Sequence, residues 1–321
     1  MHVQTQTEIR ALLGSAGVRP RKRWGQHFLV DGNLMRRLFE SAEVTVSDAV
    51  LEVGAGTGGL TDLLVEAGRH VVAVEIDPVL FGLLQVRYAG RPNITLIQAD
   101  ALHSKHQIAA TVGAALVRHR PDAAGAYKLV ANLPYNVATP LVMNLLTWNL
   151  PLEGSTSAGR DSREGGCEKG FSHQRSLQVE RMCFTVQQEV AERMAAAPGS
   201  GEYGPISVAL QATCTIRRVA TVPPSAFWPR PQVASAMLRI DRTGNPFGDL
   251  ARLARFIEFV RACFGHRRKT LRYALTRTLG DSTCAALGAL VDLQRRPETI
   301  AVGEWLELWR AAGECEWQRD V

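Results

Sequence analysis

The stretch VANLPYNVATP, residues 130–140, sets an amide, a proline, an aromatic ring and a second amide together at the end of an apolar run. That grouping suits one kind of chemistry, methyl transfer to a base amine. An exocyclic amine on a nucleobase is conjugated with its ring and is a poor nucleophile. To attack an electrophilic methyl in line, its nitrogen must be held by acceptors that take both hydrogens and leave the lone pair aimed at the carbon. Asn132 offers a side-chain carbonyl, and the Leu133 backbone carbonyl supplies a second acceptor whose direction the rigid ring of Pro134 fixes. Tyr135 can stack on the base. No strong general base is required, because the nitrogen becomes acidic only as the methyl arrives.

A second set of residues would hold an adenosine. AVLEV runs directly into GAGTGG and then into the helical pattern LTDLLVEAG. Glycines at 54, 56 and 58 let the backbone turn sharply and approach a ligand, whose polar groups meet free N–H groups at the helix start. The next apolar run, HVVAVEID, carries Glu75 at its tip, 19 residues past Gly56, where a carboxylate can accept from both hydroxyls of a ribose. A third, NITLIQADAL, ends in Asp100, 25 residues further on, suited to accept from the exocyclic amine of an adenine. NAD and S-adenosylmethionine share that adenosine, so the pocket alone does not choose between them. The NLPY tetrad does, because hydride transfer has no use for it, and S-adenosylmethionine is the expected cofactor.

These groups need a scaffold that brings strand ends to one edge. AVLEVGAG (49–56), HVVAVEID (70–77) and KLVAN (128–132) alternate with helical-length segments, which predicts an α/β fold with a parallel sheet covered on both faces. The segment from Arg181 to Gln211 continues as strand, helix and a further apolar stretch, so this domain is expected to span 1–240. Within it, residues 150–178 are rich in Gly, Ser and mixed charge and read as a surface loop. After the polar linker DRTGNPFGD (241–249), apolar residues recur at helical spacing in LARFIEFVRACF and again around Ile300 to Trp309. A small all-helical C-terminal domain, 241–321, follows from that periodicity.

Of the 321 residues, 46% are hydrophobic and 21% charged, which is ordinary globular material. No basic stretch followed by an apolar run opens the chain and no run of about 18 apolar residues occurs, so neither a signal peptide nor a membrane partner is expected, and the chain reads as cytoplasmic. Six scattered cysteines form no CxxC pair, so no metal site and no disulfide framework are expected. The formal charge of +6 is unevenly spread. Arg10–Arg23 holds five basic residues, Tyr203–Ile240 four and Arg261–Arg277 six, all without an acid. Three such stretches point to a polyanion partner.

The ordered motifs resemble the ribosomal small-subunit RNA adenine dimethyltransferase family over most of the chain. RKRWGQHFLVD (21–31) resembles its N-terminal signature; LEVGAGTGGLT, VEIDP, QADAL and NLPYNVATPL resemble its cofactor and catalytic motifs; VPPSAFWPRPQVASAMLRI (222–240) and FGHRRKTLRYAL (264–275) resemble its second aromatic segment and basic helix. The resemblance implies a Rossmann-like class I methyltransferase domain that transfers four methyl groups to two adjacent adenosines in the 3′-terminal hairpin of small-subunit (16S) rRNA. It implies a monomer with a role in small-subunit biogenesis. By similarity His27 and Leu29 contact the cofactor, Gly54 and Gly56 line its methionine portion, Glu75 binds the ribose, Asp100 the adenine amine, and Asn132 bridges cofactor and target. Phe227 would sandwich the flipped adenine opposite Tyr135. Arg21, Lys22, Arg23, Arg267, Arg268 and Lys269 are expected to hold RNA phosphates on either side of the pocket.

Departures from the family pattern are informative. His27 stands where Asn is common and brings a titratable ring to the cofactor. Gln188 stands where Lys is usual and Pro205 where a basic residue is common, which puts two phosphate contacts in doubt. The 150–178 loop is longer than the family leads one to expect. Rival readings are the macrolide-resistance enzyme of large-subunit rRNA, an RNA-binding assembly factor with little catalysis, and a DNA adenine methyltransferase. RRKTL, and LPY rather than IPY, favour the small-subunit enzyme.

Overall fold

The computed structural model describes residues 3–21, 24–148 and 178–312. Seven strands form the central sheet: β1 (Ala49–Val53), β2 (His70–Glu75), β3 (Ile94–Gln98), β4 (Tyr127–Asn132), β5 (Val179–Gln187), β6 (Cys214–Val222) and β7 (Ser235–Arg242). Their order is β3-β2-β1-β4-β5-β7-β6. β1 and β2 are buried along their whole length, as near-continuous Val, Ala and Leu runs require when helices cover both faces. The parallel sheet expected from the sequence holds for β1 to β5; β7 runs antiparallel to both β5 and β6. No crossover helix separates β6 from β7, and a parallel pairing needs one. β6 itself is not anticipated by the sequence reading. It is an edge strand that exposes Arg217 and Arg218, so its apolar pattern is broken.

Helices Gly32–Ala42 and Gly59–Ala67 pack on one face of the sheet through Leu38, Leu63 and Leu64. Helices Ala110–Arg118, Ala138–Thr147 and Pro205–Thr213 cover the other. The apolar stretch expected after Met194 is therefore a helix, started by Pro205 at its first turn. The C-terminal helices Leu250–Phe264, Leu271–Leu279, Asp281–Leu287 and Val302–Ala311 pack around Phe256, Phe259 and Trp305, in one buried cluster with the second face. Nearly all of the expected surface loop, 150–177, lies outside the described residues, as do Lys22 and Arg23.

Two expectations about the basic stretches change. Arg267, Arg268 and Lys269 stand in the turn before the helix, which begins at Leu271 after the Thr270 cap, rather than on a basic helix. Arg239, counted with the second stretch, points inward: it meets Glu43 at 2.5 Å and Asp241 at 2.6 Å, and Arg181 holds the same two acids at 2.6 Å each. Hydrogen bonds from Arg239 and Arg181 push the Glu43 carboxyl down to about 2. This arginine serves the fold, not a polyanion.

Candidate active site

The sheet order reverses between β1 and β4, and ligands of such sheets bind at the carboxyl ends of the strands beside that switch. Here those ends are Gly54, Glu75, Asp100 and Asn132, and all four line one cleft of about 840 Å³, part of it open to solvent. Residues from four separated motifs thus share a wall.

The glycine loop is left-handed at Gly54, Gly56 and Gly58, with φ of 80°, 61° and 87°. A Cβ on Gly54 would stand 3.2 Å from Cδ of Pro134, and one on Gly56 would stand 3.2 Å from the Phe28 ring. The loop is pinned from below, where the N–H groups of Gly54 and Ala55 donate to the Val74 carbonyl. Backbone and tetrad are therefore in contact with no room between them. Gly54→Ala combines that close approach with a positive φ, which costs a non-glycine residue roughly 1–2 kcal/mol. We expect it to weaken cofactor binding at least tenfold by titration calorimetry while far-ultraviolet circular dichroism stays unchanged.

Glu75 ends β2 and is buried, 4% exposed. Its Oε2 accepts from the Gly56 N–H and its Oε1 from the Asp77 N–H, each at 2.8 Å. Burial raises this carboxyl above the ordinary range, against the lowering by those two donors. Each oxygen keeps a further lone pair, so the group can still accept from two hydroxyls. Asp100 stands two residues beyond the end of β3 at Gln98, not on the strand itself. Its Oδ1 accepts from the Leu102 N–H at 2.9 Å, which turns the chain and leaves the exposed carboxylate on the cleft.

The N-terminal signature is a strap across the other side. Gln26 donates to Asp77 at 2.9 Å, and Phe28–Leu29 pairs antiparallel with Phe227–Trp228. His27 bonds the Pro229 carbonyl through Nδ1 at 2.7 Å; a carbonyl only accepts, so Nδ1 carries the hydrogen and, in a neutral ring, Nε2 is left as an acceptor. His27 and Tyr135 stack with ring centroids 5.5 Å apart. Phe227 is buried and lines the same cleft. Leu29 does not reach that cleft. It lines a smaller adjoining cavity with Glu52, Thr57 and Leu60, and Phe28, Gly54, Gly56 and Asn132 are common to both cavities.

At the junction stands the tetrad. Asn132 donates through Nδ2 to the His27 carbonyl at 2.7 Å, and its Oδ1 accepts from the Thr185 hydroxyl. Tyr135 bonds Ser235 through its hydroxyl at 2.9 Å, and burial raises the phenol above its ordinary range. Asn132, Leu133, Pro134, Tyr135 and Phe227 thus line one cleft together with Glu75 and Asp100. The ribosomal RNA adenine dimethylase family matches residues 17–312. The chain belongs to that family. A ribosomal RNA small subunit methyltransferase A from Streptomyces coelicolor is 36% identical over 309 residues, covering 94% of each chain. The namesake from Mycobacterium tuberculosis is 38% identical over 316 residues, 96% of this chain and 88% of the relative.

Solved structures agree on the fold. A dimethyladenosine transferase from Plasmodium falciparum superposes with a TM-score of 0.61 at 20% identity, covering 88% of this chain and 96% of the other. The 23S rRNA methyltransferase ErmE gives 0.57 at 24% identity, covering 89% and 99%. As a family member the chain is an rRNA adenine dimethyltransferase with S-adenosylmethionine as methyl donor. The cleft fits that donor, since a side chain on Gly54 or Gly56 would fill the cradle and Glu75 presents a buried carboxylate beside it.

Of the basic candidates, Arg21 and residues 267–269 are described. Arg21 lays its guanidinium over the Trp24 ring, 4.8 Å from the centroid, and Trp24 lines the cleft. Arg267, Arg268 and Lys269 are exposed, with no ion pair among the described residues. Gln188 donates through Nε2 to Glu192 at 2.8 Å. Thr185 and Ser235 are the site neighbours that the sequence reading misses. A hydroxyl in the middle of an apolar strand carries no spacing signal, and only the pairing of β5 with β4 brings Thr185 opposite Asn132. Among the described residues, no group of three or more His, Cys, Asp or Glu side chains is placed to hold a metal, and no helix is long and apolar enough to cross a membrane.

Proposed function

We propose that the protein dimethylates two adjacent adenosines in the 3′-terminal hairpin of small-subunit (16S) rRNA, within a pre-small subunit, and that it takes part in small-subunit biogenesis. The fixed Asn132 amide carries the reading. It ends β4 at the junction of the two cavities, with its nitrogen committed to His27 and its oxygen holding a lone pair beyond the one given to Thr185. The names of the Streptomyces and Mycobacterium relatives support the choice of subunit.

Bound S-adenosylmethionine supplies an electrophilic methyl on a cationic sulfur. Glu75 and Asp100 would hold its adenosine end, and Gly54 and Gly56 would lie against its methionine end. The target adenine leaves its stack, at a cost of a few kcal/mol that is lowest in a loop, and enters beside Tyr135 and Phe227. In the first transfer its amine would donate one hydrogen to Asn132 Oδ1 and one to the Leu133 carbonyl, which turns its lone pair out of the ring plane. The carbon–sulfur bond breaks as the nitrogen–carbon bond forms, and the methylated amine then loses a proton to the solvent that reaches the open cleft. His27, which lines the cleft, would contact the cofactor, and Leu29 would back the site from the adjoining cavity. Residues 1–240 act as the methyltransferase domain and 241–321 as a helical RNA-binding domain of a monomer. The 150–178 loop contacts the ribosomal subunit.

The test is labelled-methyl transfer to undermethylated small subunits, to large subunits and to DNA, with the product position mapped. Label at two adjacent adenosines of the terminal hairpin is expected; label only in large-subunit RNA would overturn the reading. Arg21, Lys22, Arg23, Arg267, Arg268 and Lys269 are assigned to phosphates. Alanine at both Arg267 and Arg268 is expected to lower the salt slope of subunit binding by about two, roughly one per lost contact. An unchanged slope would make these two residues merely solvated.

A further inference from the structure

Thr185 and Ser235 are both fully buried, and a buried hydroxyl needs a partner. Other buried hydroxyls here are spent on the fold, with Ser207 bonded to the Arg193 carbonyl and Thr213 to the Ala209 carbonyl. The pair behind the tetrad differs, because each partner is a side chain that faces the cleft. Thr185 donates to Asn132 Oδ1, and Ser235 shares a hydrogen bond with the Tyr135 hydroxyl.

Their placement follows from register. Thr185 lies opposite Asn132 on the parallel pair β4–β5 and opposite Met237 on the antiparallel pair β5–β7. Ser235 is two residues from Met237 on β7, so it shares a face with Thr185. Two hydroxyls on neighbouring strands therefore support two consecutive functions of the tetrad from beneath. The His27 carbonyl can only accept, which decides that Nδ2 is the end of the Asn132 amide turned to the strap. Thr185 then draws Oδ1 to its other side and occupies one of its lone pairs, which leaves a single acceptor direction for the substrate. Ser235 tethers the far end of the Tyr135 ring, whose other constraint is the stack on His27.

We propose that Thr185 and Ser235 are positioning residues for methyl transfer, setting the direction of the Asn132 carbonyl and the plane of the Tyr135 ring. This rests on the proposed roles of Asn132 and Tyr135. A misdirected acceptor leaves cofactor binding intact but misaligns the nucleophile, and small misplacements of reacting groups cost up to roughly 10²-fold in rate.

The experiment measures kcat and KM for labelled-methyl transfer to undermethylated small subunits, together with cofactor affinity by calorimetry and the thermal midpoint. Thr185→Val keeps the shape and removes the donor. It is expected to lower kcat roughly 10–100-fold with cofactor affinity within about twofold, and Thr185→Ser to restore most of the loss. Ser235→Ala and Tyr135→Phe delete the same hydrogen bond from its two ends, so the double variant is expected to be no worse than the poorer single one. Should Thr185→Val not fold, Thr185→Ala, which also lacks the donor, is measured in its place with the same expectation. Wild-type kcat in the folded Thr185 variant, no rescue by serine, or additive losses at 135 and 235 would each overturn the proposal. Failure of the wild-type protein to label adenine in any RNA would instead overturn the reading of the site on which it rests.

Discussion

Replacing Asn132 with alanine is expected to lower kcat for methyl transfer by roughly 10²–10³-fold, the loss typical of removing one fixed polar group from a reacting centre. Cofactor affinity is expected to change by less than about threefold, because Glu75, Asp100 and the glycine loop remain. The substitution deletes the acceptor for one amine hydrogen and also the donor to the His27 carbonyl. These two consequences separate. Loss of the strap bond would act on cofactor binding and on stability, at about 1 kcal/mol for an ordinary hydrogen bond, whereas loss of the acceptor acts on the rate of the bound complex. Single-turnover transfer at saturating cofactor reads the second alone, and near-normal turnover there would contradict the acceptor role. Asn132→Asp is a sharper companion. A carboxylate still accepts from Thr185 but has no hydrogen for the His27 carbonyl, so it keeps an oxygen at the cleft and loses the direction that the strap imposes.

Much of this site was legible in the sequence because its parts sit at the ends of strands that announce themselves. Runs such as AVLEV and HVVAVE are apolar on both faces, so their termini, and with them Gly54 and Glu75, could be located to within a residue. Asp100 was less well located: β3 lies at the edge of the sheet, its side chains are only half-buried, and the strand stops at Gln98. The basic stretches mislead in part for a similar reason. Composition counts Arg239 with Arg217 and Arg218, yet alternation along β7 turns it toward Glu43 and Asp241, and no local rule reveals an acid some 200 positions earlier. The hydroxyls of Thr185 and Ser235 belong to the same class of fact. Their meaning depends on which strands are neighbours, and the insertion of β7 between β5 and β6 is a property of the whole sheet.

Glu52 should make the protein less stable as pH rises, in a window where most proteins are at their best. It stands on β1, 1% exposed, with the Thr61 hydroxyl donating to its Oε2 at 2.6 Å. Burial pushes its carboxyl up to about 8, opposed by Thr61 and reinforced by Asp62 and Glu75. A folded value above the unfolded one means that the native state holds the proton more tightly. The resulting stability is complete below about pH 4.5 and is lost as pH climbs through about 8. Two other groups act at lower pH. Glu43, held down to about 2, weakens the fold only as pH falls below its unfolded value, and its exposed side chain lessens that effect by solvent screening. His70, pushed down to about 4 by burial and by His119, makes stability rise with pH up to about 6.5, against Glu52. From about pH 6.5 to 8 Glu52 alone of these three titrates, and its loss amounts to about 2 kcal/mol. Glu52→Gln keeps the shape and an acceptor for Thr61 but cannot ionise. Its denaturant midpoint is expected to stay level over that interval while that of the wild-type protein falls, and parallel curves for the two proteins would mean that Glu52 is already ionised at pH 6.5.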